Sequence, residues 1–149
     1  MIEAGTKAPD FSLPDHRGNE VSLEDFAGRK LVLAFYPLDW SPVCTDQLSV
    51  YQEVIGEIEA QGATLAGISV DSSFSHRAFR QHLNLRFSLL SDFNPKGRVC
   101  RAYGAWIEQV DHANRSLVLI EDGEVKWSYA TPSPADIPGA NLIFDALSA

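Results

Sequence analysis

The sequence predicts an α/β fold with a central mixed β-sheet flanked by helices, and three observations carry that prediction. Two continuous apolar runs, Leu31–Tyr36 and Ala63–Val70, have the length of strands buried on both faces. The residues between them repeat apolar side chains at helical spacing, as a helix connecting two strands does. Asp122-Gly123 separates two later strand-like runs and marks an antiparallel hairpin. Strand–helix alternation followed by a late hairpin is typical of a mixed sheet.

The first half of the chain alternates strands and helices. The first strand ends at Pro37, and the apolar residues that then recur at helical spacing are Leu48, Tyr51, Ile55 and Ile58. Gly62 lies just beyond this helix, where a helix commonly ends. After the second strand, Ser73–Leu83 is predicted to be a helix and Phe87–Leu90 a short strand. This half therefore contributes three strands and two helices.

The second half contains a helix, the hairpin and a closing helix. Asn94-Pro95 is a good N-cap and first-turn pair, so we expect a helix from there through Tyr103, ended by Gly104. The remaining predicted elements are the strands Ser116–Ile120 and Val125–Ala130 and a helix within Ala135–Leu147. Pro138-Gly139 is expected to delay the start of that last helix.

Composition excludes several classes of function. Twenty acidic residues against 12 basic ones give a formal net charge of −8, which disfavours nucleic acid and acidic membranes as partners. No apolar run approaches the ~18 residues of a membrane span, and the N-terminus lacks the features of a secretory signal. We therefore expect one cytoplasmic domain covering residues 1–149. Its two cysteines are too few for a disulfide scaffold.

Cys44 is the strongest candidate for a reactive residue. It follows the first strand and stands where the next helix begins, and the unpaired N–H groups and dipole of a helix N-terminus favour a thiolate. Trp40 precedes Ser41, Pro42 and Val43, so the stretch looks like a Trp-Cys-x-x-Cys redox site in which Ser41 replaces the first cysteine. The Ser41 hydroxyl is three residues away and is able to donate a hydrogen bond to the sulfur or to a substrate oxygen.

The segment Pro37–Cys44, "PLDWSPVC", resembles the peroxiredoxin signature Pro-x-x-x-Thr/Ser-x-x-Cys, and Gln47 fills its Glu/Gln position. Nearly the whole chain shares the resemblance, in the segments Ala8–Gly18, Val21–Pro37, Leu89–Trp106 and Ala113–Val125. The last two segments look most like the alkyl hydroperoxide reductase E branch, and the bacterioferritin-comigratory branch comes next. The family's catalytic arginine matches Arg115.

The resemblance implies a thioredoxin-like fold and a thiol-dependent peroxidase without a metal or organic cofactor. Cys44 would attack the peroxide, Pro37 would shield the sulfur, and the Ser41 hydroxyl would position the substrate. Arg115 would stabilise the thiolate and the negative charge on the leaving oxygen. Ser41 stands where threonine is commoner, so it keeps the hydroxyl without the methyl group that restricts the rotamer.

Gln47, Trp40 and Cys100 are further candidate site residues. Gln47 is expected to line the pocket, and Trp40 to line either the pocket or a dimer contact. Cys100 is the second cysteine and is a candidate resolving residue, which would form an intrachain disulfide with Cys44. The alternative for Cys100 is a half-buried structural residue, with an external thioredoxin-type or low-molecular-weight thiol as the reductant. The four histidines show no metal-ligand spacing, and a homodimer is a family expectation.

Two other functions compete with the peroxidase. A thioredoxin-like disulfide oxidoreductase usually carries a cis-proline before the strand that faces its active site, whereas this chain has Asn114-Arg115 before Ser116–Ile120. A non-catalytic thioredoxin-fold binding module would require Cys44 to be inert, although the proline, hydroxyl, sulfur and arginine all stand at matching positions.

Overall fold

A computed structural model describes residues 1–149, and it has a five-stranded mixed sheet at its centre. The strands of the molecule are β1 (Ser12–Pro14), β2 (Glu20–Ser22), β3 (Lys30–Phe35), β4 (Ala63–Ser69), β5 (Ser88–Ser91), β6 (Trp106–Ile107), β7 (His112–Ala113), β8 (Ser116–Glu121) and β9 (Glu124–Ala130). The helices are α1 (Pro42–Glu53), α2 (Ile55–Ala60), α3 (Ser73–Leu83), α4 (Arg98–Ala102) and α5 (Ala140–Ser148), with a 3₁₀ turn at Leu23–Phe26. No helix combines the length and the apolarity that crossing a membrane requires.

The strand order of the central sheet is β5-β4-β3-β8-β9. β3, β4 and β5 are parallel, because helices connect them, and β8 and β9 add antiparallel pairs on the other side of β3. The hairpin turn has positive φ at both Asp122 and Gly123, which matches the prediction for that dipeptide. The α/β fold with a mixed sheet is therefore confirmed.

The sheet separates two hydrophobic cores, because successive side chains of a strand point to opposite faces. Val32, Ala34 and Tyr36 belong to the first core, which also contains Cys44 and buried residues of α1, α2, α3 and α5. The alternate residues of β3 belong to the second core, together with Cys100 and buried residues of α4 and the N-terminal segment. The two cysteines therefore lie on opposite faces of the central sheet.

Two predicted helices differ from the structure, and a third starts where the sequence predicted. The helix expected from Asn94 begins at Arg98, because Phe93–Gly97 form a turn and the Asp92 carboxylate accepts the free N–H groups at the helix start. The first long helix is interrupted at Val54 and continues as α2. The closing helix begins at Ala140, after the delay that Pro138-Gly139 predicted.

The short strand pairs β1–β2 and β6–β7 were not predicted. Each strand has only two or three residues, too few for an alternating pattern to be distinguished from a loop. β1 leads to Asp15, which forms an isolated bridge with Leu90 of the edge strand β5. The N-terminal segment thus packs along the second face of the sheet.

Candidate active site

Cys44 is the third residue of α1, and its local geometry follows from the residues before it. Ser41 is the N-cap, with extended backbone, and Pro42 occupies the first helical position. The Cys44 N–H donates to Ser41 Oγ at 3.1 Å. The Ser41 oxygen therefore acts as the helix cap, while the proton of its hydroxyl is free to be donated elsewhere.

Arg115 lies against the sulfur of Cys44. It immediately precedes β8, whose first residue Ser116 pairs with Phe35 at the end of β3, so the register brings Arg115 to the start of α1. Arg115 Nη1 donates to Cys44 Sγ at 3.0 Å and to Gln47 Oε1 at 2.8 Å. Arg115 is only 3% exposed, so water screens its charge little at this point.

A chain of hydrogen bonds holds Arg115 and Gln47 in place. Gln47 Nε2 donates to the Tyr51 hydroxyl at 3.2 Å, and that hydroxyl donates to the Pro138 carbonyl at 2.6 Å. Arg115 Nε donates to the Pro134 carbonyl. Burial raises the pKa of Tyr51, so the phenol stays protonated as a donor at neutral pH. The guanidinium is thus fixed by α1 on one side and by the segment before α5 on the other.

The loop between β3 and α1 is anchored at Asp39. Pro37 is buried, and the Asp39 side chain accepts hydrogen bonds from the Tyr36 hydroxyl at 2.6 Å and the Ser75 hydroxyl at 2.8 Å. His76 Nδ1 lies 2.8 Å from the same carboxylate. These contacts tie the loop to α3, which restricts the position of the residues that lead into Cys44.

The same network contains the molecule's one group of potential metal ligands. The candidate ligand atoms of Asp39, Asp71 and His76 lie within 4.8 Å of one another. They already bond within the protein, since Asp71 accepts the Asp39 N–H at 2.8 Å. Burial, and then the nearby Asp39 carboxylate, raise the pKa of Asp71. We interpret the group as a structural hydrogen-bond network.

Trp40 is positioned by α3. Its backbone has φ 74°, and its ring packs on Phe79 and His82 with centroid distances of 5.1 and 5.4 Å. The side chain is half exposed. The assignment of Trp40 to the pocket or to a dimer contact stays a prediction, and its observed contacts are with α3.

Cys100 is not brought to the site. It lies in the second hydrophobic core, on the opposite face of the sheet from Cys44. A disulfide requires Cα atoms within ~7 Å, and the central sheet stands between these two residues. Burial, and then the Asp92 carboxylate, raise the pKa of Cys100 to about 12, so its sulfur is a thiol at neutral pH. The folded geometry gives the resolving role of Cys100 no support.

Cys44 is shielded from solvent. The residue is 0% exposed, and it lines none of the surface cavities of the molecule. A reactant must therefore be small, or must present a slender group to the sulfur. A buried sulfur at a helix N-terminus beside a guanidinium can act as a thiolate nucleophile, with N–H donors ready for charge that develops on its reactant.

Sequence reasoning identified Pro37, which is buried in the loop before α1, and four residues that hydrogen bonds join in the structure, namely Cys44, Ser41, Gln47 and Arg115. It missed the support from Asp39, Tyr51 and the carbonyl groups of Pro134 and Pro138. Tyr51 was assigned to the helix core by its spacing, and nothing in that spacing reveals where its hydroxyl lies. Asp39 offered a signal, because a carboxylate inside an otherwise apolar and proline-rich stretch needs partners when it is buried.

The chain is similar to known proteins along most of its length. A model of the AhpC/TSA family matches residues 4–128. A Coxiella burnetii protein described as a peroxiredoxin, bcp, is 41% identical over 108 residues, which are 72% of this chain and 70% of the relative. Alkyl hydroperoxide reductase E of Mycobacterium tuberculosis is 31% identical over 150 residues, with 100% of this chain and 98% of the relative covered. Both branches named in the sequence analysis are thus represented.

A solved structure shows the same fold. The crystal structure of Enterococcus faecalis AhpC superposes with a TM-score of 0.90 at 24% identity, and the match covers 99% of this chain and 92% of that one. At this sequence identity the structural similarity supports the fold alone. It confirms the thioredoxin-like architecture predicted from the sequence.

Proposed function

This chain belongs to the AhpC/TSA family of peroxiredoxins, which are thiol-dependent peroxidases, and we propose that Cys44 is its peroxidatic nucleophile. The observation that carries the proposal is the position of Arg115, whose Nη1 lies 3.0 Å from Cys44 Sγ. A buried, fixed cation beside the sulfur stabilises the thiolate, and the thiolate is the form of cysteine that attacks peroxides.

The reaction at Cys44 transfers one oxygen atom. The thiolate attacks the terminal oxygen of ROOH, the S–O bond forms as the O–O bond breaks, and the electron pair leaves with RO⁻. RO⁻ takes up a proton and departs as water or an alcohol, and Cys44 becomes a sulfenic acid. Arg115 N–H groups are placed to stabilise the charge on the leaving oxygen. The Ser41 hydroxyl, whose oxygen accepts the Cys44 N–H, has its proton available for the peroxide.

We propose that an external thiol completes the cycle. A thioredoxin-type protein or a low-molecular-weight thiol attacks the sulfenic sulfur, water leaves, and a second thiol reduces the resulting mixed disulfide. The location of Cys100 on the other face of the sheet supports an external thiol over this internal one. If Cys100 is the resolving residue instead, α4 or the start of α1 has to leave its packed position in every turnover.

One experiment tests both steps. The reduced protein is treated with one equivalent of peroxide, trapped with a sulfenic-acid reagent, and mapped by mass spectrometry under non-reducing conditions. We expect the oxidised species on Cys44 and a free thiol on Cys100. An intrachain Cys44–Cys100 disulfide would overturn the external-thiol step and leave the peroxidase assignment standing. An unmodified Cys44 would overturn the assignment of the nucleophile.

We further propose that the protein acts as one domain in the cytoplasm and forms a homodimer. Two free cysteines suit a reducing compartment. The exposed aromatic side chains of Trp40, Phe74 and Phe93 offer apolar surface for a subunit contact. Sedimentation of the purified protein over a range of concentrations tests the dimer, and a constant monomer mass would contradict it.

A further inference from the structure

A cavity of about 710 Å³ lies beside the second half of α3. Four of the chain's eight arginines line it, and no carboxylate does. Arg77 and Arg80 come from one stripe of α3, while Arg17 and Arg86 come from the segments packed beside it. A concentration of arginines in a chain with a net charge of −8 calls for an electrostatic explanation.

His16 supplies a second and independent observation at this cavity. The residue lines the cavity and is only 6% exposed, and its Nδ1 atom is buried without a hydrogen-bond partner. Buried polar atoms are nearly always paired in native proteins, and this nitrogen is the one buried side-chain polar atom of the chain that lacks a protein partner. Burial, and then the charge of Arg80, lower the pKa of His16 to about 4, so the imidazole is neutral at pH 7.

The arginines differ in how they are held. Arg80 donates to the carbonyl groups of Phe87 at 3.0 Å and Arg86 at 3.1 Å, which fixes its guanidinium without neutralising it. Arg77 has no hydrogen bond or ion pair within the chain. The other two are paired from outside the cavity, Arg86 with Glu59 at 3.1 Å and Arg17 with Asp15 at 3.5 Å. Arg77 and Arg80 therefore have no direct ion-pair partner at the cavity.

We propose that this cavity binds a small ligand that carries two or more phosphate groups. Guanidinium groups pair bidentately with phosphate oxygens, and a diphosphate presents enough oxygens to contact several of them at once. Leu85 is the only apolar residue in the lining, so charge and not apolar contact has to provide recognition. The volume lies within the range of about 300–1,000 Å³ that small-ligand sites occupy.

The site is separate from the peroxidase centre. None of its lining residues forms a hydrogen bond or an ion pair with Cys44 or Arg115. The α3 residues that pack on Trp40 are Phe79 and His82, which do not line the cavity. Binding here and peroxide turnover can therefore be measured independently, and failure of one leaves the other standing.

Calorimetric titration of the full chain with sodium pyrophosphate at low ionic strength tests the proposal. We expect saturable binding of one ligand per chain, and a loss of at least about tenfold in affinity in Arg77→Ala, since that variant lacks one charge-assisted hydrogen-bonding partner for a phosphate group. Arg77 is exposed, so its replacement does not threaten the fold. The matched control is Arg98→Ala, which removes an exposed arginine elsewhere and should change affinity less than twofold.

Two further measurements sharpen the result. Nitrogen NMR of the imidazoles should show His16 shifting with pyrophosphate while His112, whose Nδ1 already lies 2.9 Å from the Ala113 carbonyl, does not. Citrate, a carboxylate of comparable charge, should bind at least about tenfold more weakly. Equal loss in Arg77→Ala and Arg98→Ala, equal affinity for citrate, or no saturable binding at millimolar pyrophosphate would overturn the proposal.

Discussion

Two helices of this protein carry a cysteine as their third residue, yet the charged groups around the two sulfurs have opposite signs. Cys44 is the third residue of α1 and Cys100 is the third residue of α4. At α1 the cap is the neutral Ser41 hydroxyl, and the Arg115 guanidinium touches the sulfur. At α4 a carboxylate, that of Asp92, accepts the N–H of Cys100 itself at 2.8 Å.

The difference shows that a helix N-terminus does not by itself make a cysteine reactive. The N–H groups that favour an anion at α4 are already used by the Asp92 carboxylate, whose charge opposes a second anion at the sulfur. At α1 no carboxylate occupies that place, and a cation is added. The two thiols therefore differ in the charge of the group that caps the helix and in the charge of the nearest buried side chain.

The largest expected effect separates the two cysteines directly. Cys44→Ser should abolish peroxide consumption, because an alcohol is not ionised at neutral pH, while Cys100→Ser should keep the rate within about twofold of wild type. Peroxide consumption with dithiothreitol as reductant measures both, and circular dichroism checks that each variant is folded. Comparable losses in the two variants would contradict the comparison.

The second prediction concerns the cation at each helix. Arg115→Ala should slow peroxide reduction by about 10²–10³-fold, the usual loss when one donor to a developing oxyanion is removed. Arg115→Lys should recover little, since an ammonium group cannot reproduce the planar set of donors. The matched control is Arg101→Ala, which removes the arginine of the last turn of α4 and should leave the rate unchanged. Full recovery of Arg115→Ala at high pH would leave only thiolate stabilisation as the role of Arg115.

The third prediction concerns an acidic N-cap, like the carboxylate at the start of α4, placed at the start of α1. Ser41→Asp keeps a good N-cap but places a carboxylate beside Cys44, so it should slow peroxide reduction at least about tenfold more than Ser41→Asn does. Asparagine caps equally well, lacks the hydroxyl in the same way and carries no charge, which isolates the electrostatic effect. Stopped-flow Trp40 fluorescence or peroxide consumption gives the rates. Equal rates in the two variants would show that cap charge is unimportant.

The smallest expected effect is a pH dependence at Cys100. Its pKa is raised from 9.0 to about 12 by burial and Asp92, so the unfolded chain releases this proton at lower pH than the folded one. The stabilisation is fully present below pH 9 and is lost as pH rises towards 12, by about 1.4 kcal/mol at most between pH 8 and pH 10. Urea unfolding should show the stability of wild type falling relative to Cys100→Ser over that range. A difference that is independent of pH would contradict the raised pKa.

The sequence predicted the side of the sheet that carries Cys44 better than the opposite side. Cys44, Ser41 and Arg115 were identified because they stand at positions that match the motifs of a known family. The face on which Cys100 lies could not be read from its helical spacing, because periodicity gives the buried side of a helix but not the side of the sheet on which the helix packs. The start of α4 was missed for a related reason, since its capping oxygen comes from Asp92 and not from the Asn94-Pro95 pair.

The active site is assembled from parts of the chain that are far apart, and this orders events during synthesis. Arg115 follows Cys44 by 71 residues. The Pro138 carbonyl, which accepts the hydrogen bond of the Tyr51 hydroxyl, follows Tyr51 by 87 residues. During synthesis, Cys44 leaves the ribosome long before Arg115 and the carbonyl groups that hold the site in place. The nascent chain thus carries an ordinary thiol, and its sulfur gains its catalytic surroundings only when the last strands and the segment before α5 have docked. On the role that we propose for Cys44, fast oxidation of its sulfur by peroxide requires these late parts of the chain and therefore reports completed folding.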